Sequence, residues 1–208
     1  MPLRLLLAGL MLLCAVQARA LERDPSTSLA AKGKVEIAFS PWNDPEAVLL
    51  KAIGEARERI LVQAYLFTSK PLARALIDAH GRGVKVEVML DAEMNRLASP
   101  SVLPTLLAAG IPVAVETRYN IAHNKVMIFD PDSPRAALAT GSYNFTRAAR
   151  LSNAENLLVL RGNPALVRVY ADNWQRQRAE AQVVRSLEDL PERKRRESGR
   201  ESDRASTD

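Results

Sequence analysis

His123, Lys125 and Asp130 are spaced H-x-K-x-x-x-x-D, and Gly141-Ser142-Tyr143-Asn144 and then Glu155-Asn156 follow. Near neutral pH a histidine can act as a nucleophile or as an acid and base, and a lysine is a fixed cation for an anion. His123, Lys125 and Met127 alternate with Asn124, Val126 and Ile128. That is strand period, and it puts His123 and Lys125 on one face. An apolar strand carrying a histidine and a lysine side by side is poorly suited to a core and well suited to a phosphate. Asn144 after Gly141-Ser142 reads as turn chemistry or as a helix cap, and a helix starting there would aim free backbone N–H groups at an anion.

The elements that must hold these residues alternate in type. Lys34 to Ser40 reads as a first strand through Val35, Ile37 and Phe39. Asp44 and Pro45 then supply an N-cap and a first helical residue for a helix over Ala47 to Arg59. Arg59 to Phe67 is apolar enough for a strand buried on both faces. A helix from Leu72 to Ala79 follows Ser69-Lys70-Pro71, and Val84 to Leu90 is a strand closed by Asp91. Further helices are predicted over Ser101 to Ala109 and from Asn163-Pro164 to about Ala181. Strands are predicted over Ile111 to Glu116, Ala136 to Thr140 (the hairpin partner of the signature strand) and Asn156 to Leu160. The implied class is α/β, a mixed and largely parallel sheet sandwiched between helices.

The ends of the 208-residue chain are different material. Residues 1–20 combine Arg4, an apolar run from Leu5 to Val16 and Ala18-Arg19-Ala20, the pattern of a cleaved signal peptide, with a retained anchor as the competing reading. Bulky Leu13 before Cys14 argues against lipidation. Cys14 is the only cysteine, so a chain cleaved after Ala20 has no disulfide and no thiolate metal site. Without Arg4 and Arg19 the 29 basic residues become 27 against 24 acidic ones, a net charge of +3, which permits a polyanionic partner without demanding one. Residues 21–33 are expected to be a loose mature terminus, 34–181 the folded domain, and 182–208 a charged tail with too little apolar surface to fold. Arg193-Lys194-Arg195-Arg196 within that tail reads as a solvated run.

The pieces HNKVMIFD, TGSYNFTRAA and NAENLLVL resemble the phospholipase D superfamily, in particular its small single-motif bacterial endonucleases of the Nuc type. The likeness extends more weakly over residues 34 to 181, through GVKVEVMLD and YADNWQ. H-x-K alone is a weak signal; followed at this distance by G-S-x-N and E-N it is a strong one. The resemblance implies that His123 attacks phosphorus to form a phosphohistidine, and that Lys125, Ser142 and Asn144 hold the phosphoryl oxygens. A cation, a hydroxyl and an amide are the donors such a transition state needs. It also implies that Glu155 orients the His123 ring, leaving one nitrogen free to attack. Asp130 completes the catalytic set by its place in the motif, with an expected role in bracing strand ends rather than touching phosphate.

Two-step chemistry needs a second group to protonate the leaving oxygen. The only other histidine, His80, precedes Gly81 and suits a helix C-terminus. A homodimer presenting two copies of His123 to one site is the expectation that follows from the single motif. One histidine, a lysine and no cysteine make a metal cluster hard to assemble, so activity without metal or other cofactor is expected. The expected substrate is nucleic acid, DNA or RNA, with Arg118, Arg147 and Arg150 as backbone contacts and Tyr119 and Tyr143 either stacking on bases or built into the core or rim. The location implied is periplasmic or secreted, with no stable membrane association once the leader is removed. Phospholipid hydrolysis, or nucleic-acid binding without catalysis, are the alternative readings.

Overall fold

Three capping residues set the long helices in the computed structural model, which describes residues 26–97 and 101–191. The Asp44 carboxylate accepts from Ala47 N at 3.1 Å and opens α1 (Pro45–Glu55). The Ser69 hydroxyl accepts from Leu72 N at 3.2 Å and opens α2 (Lys70–Gly81), and the Asn163 amide oxygen accepts from Leu166 N at 3.2 Å and opens α6 (Pro164–Glu180). Each cap satisfies a backbone donor that the first helical turn leaves unpaired. Short helices α3 (Ala92–Leu97), α4 (Leu103–Ala108) and α5 (Arg147–Leu151) fill the connections. The strands are β1 (Lys34–Ser40), β2 (Arg59–Ala64), β3 (Lys85–Asp91), β4 (Val113–Glu116), β5 (Lys125–Phe129), β6 (Ala137–Gly141), β7 (Glu155–Arg161) and β8 (Gln182–Val184). All these elements belong to the unit from Ala31 onward; residues 26–30, the described part of a leading unit, are exposed and irregular.

The eight strands form one sheet in the order β1-β7-β6-β5-β2-β3-β4-β8. On one face α1 and α2 bury Leu49, Ile53, Leu72 and Leu76 against Val62, Val88, Met127 and Val159. On the other, α6 lays Val167, Ala171 and Trp174 over Leu61, Met89, Ile128 and Leu138. The Trp174 indole N–H donates to Val62 O at 3.1 Å, so its burial leaves no polar atom unpaired.

The mixed α/β class is as expected, but the largely parallel sheet is corrected. Only β2–β3 and β3–β4 pair in parallel; β1–β7, β7–β6, β6–β5, β5–β2 and β4–β8 are antiparallel. The link from Phe129 to Ala137 is too short for a crossover, so β5 and β6 must form an antiparallel hairpin. The expected boundary at residue 181 is corrected as well. Residues 182–184 add a short strand to the free edge of β4, Val184 is 2% exposed, and the Asp189 carboxylate caps the turn after it through Arg185 N and Ser186 N. Residues 1–25, 98–100 and 192–208, which include the expected leader and the basic run, lie outside the described residues.

Candidate active site

Strand register gathers the signature at one end of the sheet. Ala64 lies opposite Lys125, Val126 opposite Thr140, Gly141 opposite Leu157 and Ser40 opposite Glu155. The start of β5, the end of β6 and the start of β7 therefore meet. Gly141, at φ +154°, makes the last of these junctions possible: a Cβ there would sit 2.3 Å from Asn156 O. That close approach lets Ser142 N and Tyr143 N both donate to Asn156 O, at 3.1 and 3.2 Å.

His123 is exposed and lies in coil just before β5. Its position is nevertheless held on both sides, since Ala122 N donates to the Asp91 carboxylate at 2.9 Å and Tyr65 N donates to Asn124 O at 2.9 Å. The imidazole meets the Tyr65 ring edge to face at 4.4 Å between centroids. Lys125 is buried; its Nζ lies 4.8 Å from the centre of the same tyrosine ring and donates to His123 O at 2.7 Å. Tyr65 thus braces both groups. The Tyr65 segment is clamped in turn by buried Asn95, whose amide accepts from Phe67 N and donates to Tyr65 O. Neither Tyr65 nor Asn95 stands out in the sequence: one closes an apolar strand and the other sits on a helix that no periodicity marks.

Burial pushes the Lys125 ammonium down to about 8, while the nearby Glu155 carboxylate acts the other way. Two opposed pH trends are expected. Activity in kcat/KM falls as pH rises through about 8, because the phosphate loses its cation. Stability rises between about 8 and 10.5, because the unfolded chain still binds the proton that the folded chain has released at a cost. A rate profile still climbing at pH 9 in a folded enzyme would remove Lys125 from the phosphate site.

The Ser142 hydroxyl donates to Glu155 at 2.6 Å and accepts from Asn156 N at 3.0 Å. Glu155 also accepts from the Asn153 amide at 3.0 Å. These bonds tie Glu155 to Ser142 and Asn153, whereas the resemblance implied a bond to the His123 ring. The Asn144 side-chain oxygen is buried without a hydrogen-bond partner.

Asp130 is at the other end of β5, and it is a clamp. Its carboxylate accepts from the backbone N–H groups of Arg57, Glu58 and Arg59 at 2.7 to 3.2 Å, and its own φ is +45°. Five residues of strand at about 3.3 Å each separate it from Lys125. Asp130→Ala is expected to lower stability by roughly 3 kcal/mol, read as a drop in the urea midpoint, because three donors lose a charged acceptor. His80 closes α2 at this far end too.

The arginines separate. Arg150 spans the carboxylates of Asp44 and Glu46, the latter at 2.8 Å, so it is corrected from backbone contact to structural ion pair. Arg118 is 63% exposed and paired with Glu180, whose carboxylate also accepts from the Tyr119 hydroxyl. Arg147 is exposed and has no ion pair among the described residues. Tyr143 is fully buried, a core residue. Glu116, buried on the α6 side with one oxygen unpartnered, is pushed up to about 7 by burial, against the pull of the Gln63 amide.

An exposed histidine beside a buried lysine, at the sheet end that also carries Ser142, Asn144 and Glu155, is an arrangement suited to a phosphodiester. The family model described as "Cardiolipin synthase, PLD-like domain" matches residues 49–177. A phospholipase D of Rickettsia bellii is 37% identical over 147 residues, 71% of this chain and 70% of that one. The mitochondrial cardiolipin hydrolase of Mus musculus is 33% identical over 62% of this chain and 55% of its own length. Among solved structures, Nuc from Salmonella typhimurium, titled a phospholipase D family member, superposes with a TM-score of 0.69 at 31% identity, over 74% of this chain and all of that one. The chain belongs to the phospholipase D superfamily, to its single-motif Nuc type, and is an enzyme of the phosphodiesterase class.

Proposed function

We propose that this protein is a metal-independent endonuclease of low sequence selectivity, exported to the periplasm or medium, that cleaves DNA or RNA through a phosphohistidine. The observation that carries the proposal is the exposed His123 imidazole beside Lys125, both braced by Tyr65, at the junction that also holds Ser142, Asn144 and Glu155. A His123 ring nitrogen forms a bond to phosphorus as the bond to the leaving oxygen breaks, and a second group gives that oxygen a proton. Water then attacks phosphorus, the P–N bond breaks and His123 is restored. Lys125, Ser142 and Asn144 donate to the equatorial oxygens. With the Lys125 ammonium in the site, and no group of three metal-binding side chains among the described residues, this donor set is proposed to stabilise phosphoryl charge without a metal ion.

The second proton carrier is proposed to be His123 of a second copy in a homodimer. Support comes from β1, where Val35, Ile37 and Phe39 are 48%, 53% and 49% exposed on one face and Trp42 beyond them is 84% exposed. This apolar row runs along the sheet edge toward the site, since Ser40 lies opposite Glu155. Export rests on the leader read in residues 1–20.

One observation favours phospholipid diesters as the second reading: Ile121 and Tyr119, 54% and 42% exposed, form an apolar lip just before His123. No helix among the described residues is long and apolar enough to cross a membrane. The deciding assay offers the protein from Leu21 both supercoiled plasmid and cardiolipin vesicles in excess EDTA. Plasmid nicking without lipid turnover is expected; lipid turnover alone would move the assignment to the second reading, and activity only with added metal would overturn the mechanism.

A further inference from the structure

A second cleft lies at the same end of the sheet as the site. The loop after β2 packs on the loop after β6 through Thr68 N and Ser69 N, both donating to Phe145 O at 2.9 Å. A cleft of about 520 Å³ opens between the start of α2 and α5. Pro71 and the half-exposed Leu151 give it an apolar floor, and Lys70 and Arg147 stand on its rim. Both cations are exposed and neither has an ion pair among the described residues. Of the other lining charges, Arg150 and Glu46 pair with each other, and Arg150 also bonds Asp44, which lies outside the lining; Glu46 accepts from the Ser69 hydroxyl as well. Lys70 and Arg147 are thus two cations without an ion pair among the described residues, beside an apolar surface, Arg147 three residues of chain beyond Asn144.

We propose that this cleft binds the nucleotide next to the scissile phosphate, with its phosphate on Lys70 and Arg147 and its sugar or base against Pro71 and Leu151. The inference rests on the nuclease reading and deepens it, because it makes the substrate a polymer. A phospholipid with one phosphate places it at the Lys125 site and leaves the two cations idle; cardiolipin, with two phosphates, is the lipid alternative that the vesicle arm of the test separates. A strand with a phosphate on every nucleotide uses both positions. Such contacts position the backbone and do not read sequence.

The test is direct binding of a fluorescein-labelled single-stranded 12-mer, by anisotropy across a salt series, to wild type and to Lys70→Gln/Arg147→Gln. The charge-matched control is Lys51→Gln/Lys85→Gln, both exposed and away from the cleft. Each single-strand phosphate neutralised contributes about 0.7 to the slope of log Kd against log salt, so the cleft variant, which loses the one phosphate held by Lys70 and Arg147, should lose about 0.7 from the slope and bind at least about tenfold more weakly at low salt. The control should match wild type. An unchanged slope, or an equal loss in the control, overturns the cleft assignment. So does weakened binding to anionic vesicles with oligonucleotide binding intact. All proteins in this comparison also carry His123→Ala, which keeps the 12-mer intact, so an inactive wild type would count against the nuclease reading and not against the cleft.

Discussion

His123→Ala is expected to abolish phosphodiester cleavage, a loss of at least about 10⁴-fold in kcat, with the fold intact. The ring is exposed and its recorded contact is the edge-to-face meeting with Tyr65, so its removal should cost stability no more than about 1 kcal/mol. A sharper form of the experiment mixes this variant with wild type and lets subunits exchange. If each site needs one His123 as nucleophile and the partner's His123 as proton donor, a dimer with one histidine is dead. At equal amounts, activity per wild-type dimer formed stays constant but total activity falls to about one quarter of an all-wild-type sample, against about one half for independent sites. A fall to one half would sink the shared site while leaving His123 as the nucleophile.

Much of the site was legible in the chain because its chemistry is local. His123 and Lys125 are two apart and Tyr65 contacts both, although the strand period expected over the pair holds only from Lys125 and His123 lies in coil before it. Asp130 was expected to brace strand ends, and it gathers three backbone donors at the α1–β2 turn. What stayed hidden depends on partners distant in sequence. Arg150 looks like a phosphate contact until Asp44 and Glu46, more than a hundred residues earlier, are brought beside it. Lys70 looks like an ordinary first-turn lysine until Arg147 faces it across a cleft. Glu155 was assigned to His123 by analogy, while its bonds go to Ser142 and Asn153.

The fold divides along the same line. Caps and strand periods are local, and the expected helices began within a few residues of the observed ones. Pairing direction is not local: β2 and β5 run antiparallel although three helices and two strands of parallel type lie between them in the chain. β8 was lost because three residues, Gln182 to Val184, are swamped by the charged composition that follows, yet one buried valine is enough to hold them on the sheet. β1 is the most instructive case. Its alternation correctly marked a strand, and alternation usually points the apolar set inward. Here Ala38 and Ser40 face the core and Val35, Ile37 and Phe39 face out.

That inversion leads to the second large effect. An edge strand with three half-exposed apolar residues in a row is an aggregation hazard unless something covers it. α6 covers β2, β4, β5 and β6 on this side of the sheet and stops short of β1. The row adjoins the signature end, so a second copy docked there across a twofold axis would also bring its own His123 toward the first. Burying the exposed halves of Val35, Ile37 and Phe39 on both copies contributes roughly 1 kcal/mol per side chain toward association, to which Trp42 adds. Ile37→Glu/Phe39→Glu is therefore expected to sediment as a monomer, with kcat/KM down at least about 100-fold, and to melt close to the wild-type protomer because neither side chain is in the core. Adding back His123→Ala subunits with an intact β1 face should not restore it, since the charged face cannot dock. A monomeric wild type with full activity would end the dimer proposal. A variant that stays dimeric and active would move the interface to another face and leave the apolar row without an occupant of this chain's own.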